Sequence, residues 1–291
     1  MPLFGRPDGT LVADAPLLRR FMPFLMQRRN ESAVFLEQEV ALKETLQFLE
    51  RRNAGRGRRF TFFHVVLCAL IRTLAERPIL NRFVVGKRLY QRRDIALSFA
   101  VKKRFEDDAP LTTVKVVFSP GDGLEEVARR IDEAIGEGRG EKKTRSEGEM
   151  GLVMKLPRSL LAFAMWLQRV ADHFNLLPAA MITPDPLYAS AFIANLGSVG
   201  IEAPFHHLYE YGTVPLFLAI GRIRKGLIAH DDASVDVTEL VTLRYTLDER
   251  IADGFYCARS LELFKGYLED PDTLEPAGKG SPVATQGMAS A

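Results

Sequence analysis

Cysteine and histidine are scarce in this chain. Its 291 residues include two cysteines, Cys68 and Cys257, and five histidines. Both cysteines lie within apolar helical patterns, so we expect buried free thiols, which suit a reducing compartment. Neither residue type has the spacing of a metal site. The sequence therefore predicts no bound metal and favours a cytoplasmic location.

Long hydrophobic runs and an excess of charge of one sign are also missing. Lys and Arg number 39 against 37 Asp and Glu, so the overall charge does not point to nucleic acid or a membrane as partner. The arginine-rich stretch 51–59 allows a nucleic-acid patch, but a solvated loop between helices is the more ordinary interpretation. The longest apolar run stops well short of the roughly 20 residues that cross a membrane, and no signal peptide is visible. We expect a soluble protein that binds neither nucleic acid nor a membrane.

Hydrophobic periodicity predicts helices interleaved with strands. Helices are predicted over PLLRRFMPFLMQRR, ALKETLQFLERR, FTFFHVVLCALIRTLAERP, DGLEEVARRIDEAIGEG, PRSLLAFAMWLQRVADHF and DGFYCARSLELFKGYLED. Strands are predicted over SAVFLEQEV, DIALSFAVKKRF, LTTVKVVFS and three later runs, YASAFIANLGSVG, TVPLFLAIGRIRK and VDVTELVTLRYTLDE. Because the β-rich runs cluster late instead of alternating strictly with helices, an α+β fold with helices covering a sheet is predicted. No glycine-rich phosphate loop follows an early strand, which disfavours nucleotide-binding folds.

Several finer expectations follow from single residues. Thr61 is expected to cap the third helix, and His64 in that helix to be packed and hydrogen-bonded rather than functional. Gly136 is expected to follow the end of the fourth helix. The glycine-rich, charged stretch 136–150 is expected to be a flexible surface segment. Trp166 is expected to fill the core rather than bind a ligand.

Three stretches resemble one enzyme family: SAFIANLGSVGIEAPF, PLFLAIGRIRK and TLRYTLDERIADGFYCARSLELFKGYLEDP. They are similar to the Ser-Asn-Leu-Gly segment, the Gly-Arg-Ile strand and the Asp-His-Arg-x-x-Asp-Gly corner of the catalytic domain of dihydrolipoamide acyltransferases, which are distantly related to chloramphenicol acetyltransferase. The resemblance implies a two-layer α/β sandwich with a mixed sheet, a homotrimer, and active sites in channels between subunits. It covers residues 12–270, which leaves an N-terminal extension, 1–11, and a disordered tail, 271–291.

The resemblance also implies roles for individual residues. In the family, the corner histidine takes the proton from a thiol, a serine or threonine donates a hydrogen bond to the oxyanion, and the corner Asp pairs with an arginine. The histidine position falls on Glu249 and the oxyanion donor on Ala194, beside a matching Asn195. Asp253 and Arg250 match. The surrounding motif residues match the family, but the residues at the positions of the base and the oxyanion donor are replaced.

Both replacements weaken the expected chemistry. Imidazole titrates near 6.5 and is suited to accept a thiol proton, whereas a carboxylate needs burial to become comparably basic. Losing a positioned base costs about 10²- to 10⁴-fold, and losing an oxyanion donor about 10²- to 10³-fold. Ser198 could replace the missing hydroxyl only if its loop folds back. Ser190, on the same strand face as Ala194, lies about 13 Å away along the strand.

His206 and His207 are the candidate replacement bases. Glu210 or Glu249 would orient them if they act in catalysis. The more ordinary interpretation is that they pack and hydrogen-bond at a subunit interface. Glu249 also has a structural interpretation, in which its carboxylate forms an ion pair with Arg250 or Arg244 across the corner.

Cofactor binding is implied only by the resemblance. Coenzyme A or acyl-coenzyme A would need cations for its phosphates, and Arg222, Arg224 and Lys225 are candidates from the fold alone. Neither a lipoyl Asp-Lys-Ala turn nor an Ala/Pro-rich linker is present, so a swinging-arm core of a dehydrogenase complex is not expected.

Three functions therefore compete. The first is a stand-alone enzyme that still transfers acyl groups from a coenzyme A thioester through a non-standard site. The second is a catalytically inactive trimeric scaffold. The third is a sensor that binds an acyl thioester without turnover.

Overall fold

The three-dimensional description rests on a computed structural model, which describes residues 5–55, 57, 59–102, 111–140, 148, 151, 154–229 and 232–275. Most of the charged segment 136–150 and of the tail 271–291 lies outside these residues. Within the described part of the chain, no helix is long and apolar enough to span a membrane.

The described strands form two sheets. Their bounds are β1 Gly9–Leu11, β2 Ala33–Ala41, β3 Arg82–Val85, β4 Arg88–Arg92, β5 Ile95–Lys102, β6 Leu111–Phe118, β7 Ala191–Asn195, β8 Leu216–Ala229 and β9 Val235–Asp248. The larger sheet has the order β2-β9-β8-β7-β5-β6, and the smaller one β1-β4-β3. In the larger sheet β7 runs parallel to β5 and β8, while the other neighbours are antiparallel. The predicted mixed sheet is confirmed.

Helices cover one face of the larger sheet. The helices are α1 Leu17–Leu25, α2 Lys43–Asn53, α3 Phe62–Glu76, α4 Leu124–Arg139, α5 Arg158–His173, α6 Ala179–Ile182 and α7 Gly254–Glu269. Alternate residues of the strands, such as Leu97, Ile193 and Leu218, point into one apolar cluster with α3, α4 and α7. A second cluster on the opposite face is covered by the connection between β7 and β8 instead of a helix. That second face holds the candidate site.

The start of α3 follows the sequence prediction. Thr61 and His64 form a capping box, in which the backbone N–H of Thr61 donates to Nδ1 of His64 at 3.2 Å. His64 is buried, and its Nε2 lies 3.2 Å from a carboxylate oxygen of Asp132. Its predicted role as a packed, hydrogen-bonded residue is confirmed.

Two boundaries differ from the sequence expectation. The fourth helix does not end before Gly136 but continues to Arg139. Gly138 is buried there, and a Cβ on it would lie 3.1 Å from Cγ1 of Val114, so the small residue lets the helix end pack closely on β6. At the C-terminus, a 3₁₀ turn over Pro271–Leu274 buries Leu274 completely, so the start of the expected tail belongs to the core.

Residues 5–11 are also part of the fold. β1, which falls in the expected N-terminal extension, pairs with β4. Arg6 is buried and donates to Asp8 and Asp172 at 2.8 and 2.7 Å. These contacts join the N-terminus to α5.

The expectation that Trp166 fills the core is wrong. The side chain is 56% exposed, and no residue of α5 is buried. Trp166 stacks on Phe163 of the same helix, with 5.8 Å between ring centroids. The helical spacing of apolar residues correctly predicted a helix, but no described element of the same chain covers its apolar face.

Candidate functional site

The corner, which is the turn between β9 and α7, is held in place by a buried ion pair. Arg250 donates to both carboxylate oxygens of Asp248, at 2.8 and 2.7 Å, and the two side chains are 4% and 1% exposed. Ser32 donates to the same carboxylate at 2.9 Å. Arg250 also donates to the carbonyl oxygen of Met26 at 3.2 Å. The corner is therefore fixed to the segment before β2.

Asp253 makes a different contact from the one expected. Asp253, expected to pair with an arginine, is the N-cap of α7, and its side chain accepts from the backbone N–H of Tyr256 at 2.7 Å. The arginine pairing is made by Asp248 instead. Asp253 satisfies one of the free N–H groups of the first helical turn and places its negative charge at the positive end of the helix.

Glu249 lies at the corner with its side chain exposed. Its backbone is fixed, because its N–H donates to the carbonyl oxygen of Ser32 at 2.8 Å and its carbonyl accepts from Arg19. The expectation that its carboxylate pairs with Arg250 or Arg244 is wrong: Arg250 pairs with Asp248, and Arg244 with Glu37. No ion pair of the Glu249 carboxylate is found among the described residues.

A cavity of about 390 Å³ lies beside Glu249, between β2 and α7. Its walls are mainly apolar and include Leu36 and Leu261, together with Cys257 and two further carboxylates, Glu37 and Glu262. Burial raises the pKa of the Cys257 thiol to about 11, so this cysteine is neutral at physiological pH. Cys68 is likewise a buried free thiol, so the prediction for both cysteines is confirmed.

Ala194 sits in the middle of the larger sheet. It pairs with Ala219 of β8, which pairs with Arg244 of β9. The motif glycines beside it make a close contact: a Cβ on Gly197 would lie 2.4 Å from the carbonyl oxygen of Gly221, so only glycine fits there. The Asn-Leu-Gly and Gly-Arg-Ile stretches thus pack directly against each other.

Within one chain, Ala194 and Glu249 do not meet. Glu249 lies five residues beyond Arg244, which is about 16 Å along β9, and two strand spacings, about 10 Å, separate β9 from β7. A single subunit therefore does not bring together the two positions at which the family keeps its oxyanion donor and its base.

The connection between β7 and β8, which contains His206 and His207, lies between Ala194 and Glu249. Arg244 donates to the carbonyl oxygen of Ala203 at 2.6 Å, and the Thr246 hydroxyl donates to that of His206. These bonds hold the connection across β9. The His206 ring lies parallel to that of Phe217, with 3.9 Å between centroids, and Phe217 belongs to the same apolar cluster against which Ala194 packs.

The hydrogen bonds of His206 define its tautomer. Its Nδ1 lies 2.7 Å from the carbonyl oxygen of His207, and a carbonyl only accepts, so Nδ1 carries the hydrogen. Neutral His206 then has a lone pair on Nε2, which has no hydrogen-bond partner in the described part of the chain. Burial is the largest cause that lowers the pKa of His206, and it favours this neutral form.

Neither histidine is oriented by the carboxylates expected for that role. Nδ1 of His207 lies 3.0 Å from the carbonyl oxygen of Leu208, so carbonyls orient both rings. Glu210 instead accepts from the backbone N–H of Asn30 at 3.0 Å. The two histidine rings stack at 4.6 Å, and His207 contacts Tyr209 edge-on.

The remaining predicted residues are partly engaged elsewhere. The Ser198 hydroxyl is exposed and donates to the carbonyl oxygen of Asn195 at 2.7 Å, so it is already used in a local turn. Arg222 pairs with Glu202 at 2.8 Å, and Arg224 pairs with Glu39. Both ion pairs lie on the surface, with side chains that are 35–55% exposed. A coenzyme A phosphate site at Arg222, Arg224 and Lys225 stays a prediction.

Part of the chain that carries this geometry is similar to a known family. Residues 171–275 match the family model described as 2-oxoacid dehydrogenases acyltransferase (catalytic domain). The resemblance to this family is confirmed.

Solved structures of the acyltransferase family share the fold. A probable dihydrolipoamide acetyltransferase from Listeria monocytogenes is 16% identical with a TM-score of 0.60, and the match covers 87% of this chain and 89% of that one. A dihydrolipoamide acetyltransferase from Azotobacter vinelandii is 16% identical with a TM-score of 0.61 over 90% and 93%. A chloramphenicol acetyltransferase is 13% identical with a TM-score of 0.53 over 92% and 100%. Among curated protein sequences none matches.

Sequence reasoning missed two features of this part of the structure. The first is Asp248, which stands directly before Glu249 and supplies the ion pair assigned to Asp253. Its place at the end of a strand, two residues before an arginine, was the available signal. The second is a polar cavity on the far side of the corner, for which the sequence offers no signal because its walls come from six separate parts of the chain.

Proposed function

We propose that this chain transfers an acyl group from a thioester to a thiol, with His206 as the base in place of the family histidine. The observation that carries the proposal is the geometry of His206. Its Nδ1 donates a hydrogen bond to the carbonyl oxygen of His207, and its ring is stacked on Phe217 beside β7, the strand of Ala194. A neutral imidazole with a free Nε2 is the group that such a reaction requires.

The proposed step balances without a further reactant. The thiol gives its proton to Nε2 of His206, and the resulting thiolate attacks the thioester carbonyl. The tetrahedral intermediate collapses by breaking the bond to the original thiol, which leaves as a thiolate and receives the proton back from Nε2. Coenzyme A and dihydrolipoamide are the thiols used in the family, and acyl-coenzyme A is the donor that we propose here.

The step lacks one source of rate acceleration. Ala194 has no hydroxyl to donate to the oxyanion, and the Ser198 hydroxyl is bonded to Asn195. We therefore expect turnover about 10²- to 10³-fold slower than a site with such a donor would give. Glu249 is exposed, so it lacks the burial that would strengthen a carboxylate as a base.

A homotrimer is part of the proposal. Ala194 and Glu249 lie too far apart within one chain to share a substrate, so a second copy must supply one of them if both contact it. Exposed apolar side chains are numerous on α1 and α5, and such surfaces mark association sites. The trimer is also what the resemblance to the acyltransferase family implies.

A trimeric scaffold or acyl-thioester-binding protein without turnover is the second candidate. It is favoured by a specific observation, namely that both family positions for chemistry hold side chains unsuited to it. Glu249 is exposed, and Ala194 offers only a methyl group.

The deciding experiment measures thioester cleavage with acetyl-coenzyme A and dihydrolipoamide. We expect His206→Gln to lower turnover by about 10²- to 10⁴-fold, the usual cost of losing a positioned base. Glu249→Gln should change it much less. Glu44→Gln, an exposed carboxylate on α2 far from the site, is the control and should leave turnover unchanged.

The pH profile gives an independent measurement. Because the pKa of His206 is lowered, the base stays deprotonated as pH falls to 6.5, and the acidic loss of activity is expected below that value. Loss of turnover in Glu249→Gln but not in His206→Gln would refute His206 as the base. Binding of acetyl-coenzyme A without turnover in the unmodified protein would favour the second candidate.

A further inference from the structure

A polar cavity of about 400 Å³ lies on the opposite side of the corner from Glu249. Its walls come from the end of α1 and the segment after it, the end of β3 with the turn that follows, the C-terminal half of α5, Tyr188 and residues 210–212. Arg250 lines it, whereas its neighbour Glu249 lines the apolar cavity beside α7. The volume is within the range of small-molecule sites, about 300–1,000 Å³.

The cavity is lined by more cations than carboxylates. Arg29, Lys87, Arg169 and Arg250 are its basic groups, and Asp172 and Glu210 its acidic ones. An excess of positive charge in a cleft with protein walls raises the local concentration of anions.

Both carboxylates are already engaged. Asp172 accepts from Arg6 at 2.7 Å and from the Tyr188 hydroxyl at 3.2 Å. Glu210 accepts from the backbone N–H groups of Arg29 and Asn30, at 3.3 and 3.0 Å. These bonds hold the two acidic groups in the wall and leave them little capacity to bind a cation.

Two of the four basic groups are already engaged, whereas the other two have no hydrogen bond or ion pair within the part of the chain that the structure describes. Arg29 donates to the carbonyl oxygens of Tyr209 and Glu210, and Arg250 pairs with Asp248. The Lys87 ammonium lies 5.1 Å from the centre of the Phe24 ring, and neither Lys87 nor Arg169 has an ion pair with any residue that the structure describes. Lys87 and Arg169 therefore remain available to a ligand.

The wall around Lys87 has a fixed shape. Gly86 has φ +57°, and a Cβ on it would lie 2.2 Å from the carbonyl oxygen of His173, so the turn packs directly on the end of α5. Lys87 itself has φ +60°, in the left-handed region. The tight turn fixes the backbone of Lys87 beside the end of α5, so the backbone needs no further ordering when a ligand binds.

We propose that this cavity binds a small molecule through a phosphate or carboxylate group, which Arg169 and Lys87 contact. The proposal does not depend on acyl transfer, because no residue of the proposed chemistry lines the cavity. A phosphate ester and a carboxylic acid share the required anionic oxygen atoms, and titration of both kinds of anion separates them.

The test is titration calorimetry on the full chain at low ionic strength, with inorganic phosphate and with succinate. We expect one site per chain for at least one of the two anions, and the tighter one identifies the class. Arg169→Gln combined with Lys87→Asn should weaken binding at least about tenfold, because charge-assisted hydrogen bonds are lost. Asparagine is chosen at position 87 because it tolerates the left-handed backbone.

Arg158→Gln is the matched control, since it removes an exposed arginine of the same helix outside the cavity. It should leave the affinity unchanged. Circular dichroism confirms that each variant is folded. The proposal is overturned if neither anion binds the unmodified protein, or if the control weakens binding as much as the double variant does.

Discussion

At the scale of single residues, the corner depends on the contact between Asp248 and Arg250. Both side chains are buried, the carboxylate is held by three hydrogen bonds from side chains, and the guanidinium reaches back to the carbonyl of Met26. A buried ion pair of this kind contributes little net stability as a pair, but removing one partner leaves an uncompensated charge. The geometry around Glu249 therefore depends on its two neighbours.

Asp248→Asn should destabilise the protein by about 3–5 kcal/mol, because Arg250 stays buried without its counter-charge. Urea unfolding followed by circular dichroism measures the change. Asp272→Asn is the matched control: Asp272 pairs with Arg51 on the surface, where the side chains are 65% and 55% exposed. That loss should be about 1 kcal/mol or less, and equal effects of the two substitutions would contradict the role given to Asp248.

At the scale of elements, the start of α7 connects the corner to the core. Asp253 caps the helix, and the buried face of α7 carries Leu261, Phe264 and Leu268 into the main cluster. The helix thus fixes the corner from the C-terminal side as Ser32 does from the N-terminal side. Asp253 therefore acts by positioning, since its carboxylate is bonded to the backbone of its own helix.

Asp253→Ala should cost about 0.5–2 kcal/mol, the usual effect of removing an N-cap. Asp253→Asn should retain most of the stability, because an amide oxygen also accepts from the N–H of Tyr256. Thermal unfolding measures the stability of both variants. Turnover should fall only in the variant that loses stability. If Asp253→Asn remained stable but lost all turnover, Asp253 would have a chemical role that its position as a cap does not explain.

At the scale of the whole molecule, the exposed apolar surface is the dominant feature. Exposed large apolar residues occur on α1 (Leu17, Leu18, Phe21, Phe24, Leu25) and on α5 (Leu160, Phe163, Trp166, Leu167). Leaving such surfaces in water forfeits about 25 cal/mol for each Å² that a partner would cover. The single chain therefore has more than one surface suited to another subunit.

Light scattering on the purified protein should give the mass of three chains over a wide range of concentrations. The physical reason is the burial of these apolar faces. Salt should affect the assembly little, since apolar contacts are not screened as surface charges are. A stable monomer at every concentration would contradict the trimer.

The sequence by itself determined the type of fold, the strands of the larger sheet and the long helices. Helical spacing of apolar residues predicted these helices, β-rich runs predicted these strands, and the cap at Thr61 was correctly predicted. These features follow from interactions within a few residues, which a local pattern records. The family resemblance could also be recognised from the sequence, because the glycines and the corner of the family motifs occupy short continuous stretches. The three short strands of the smaller sheet and the short helix α6 were not predicted.

Only the tertiary structure decided how these pieces meet. Arg250 pairs with Asp248 and not with Asp253, and Trp166 is exposed. The ring of His206 is oriented by a carbonyl oxygen rather than by a carboxylate. The polar cavity gathers Arg29, Lys87 and Arg169 from three distant segments. The physical reason is that periodicity shows which face of an element is apolar, whereas the packing of the whole chain decides what covers that face.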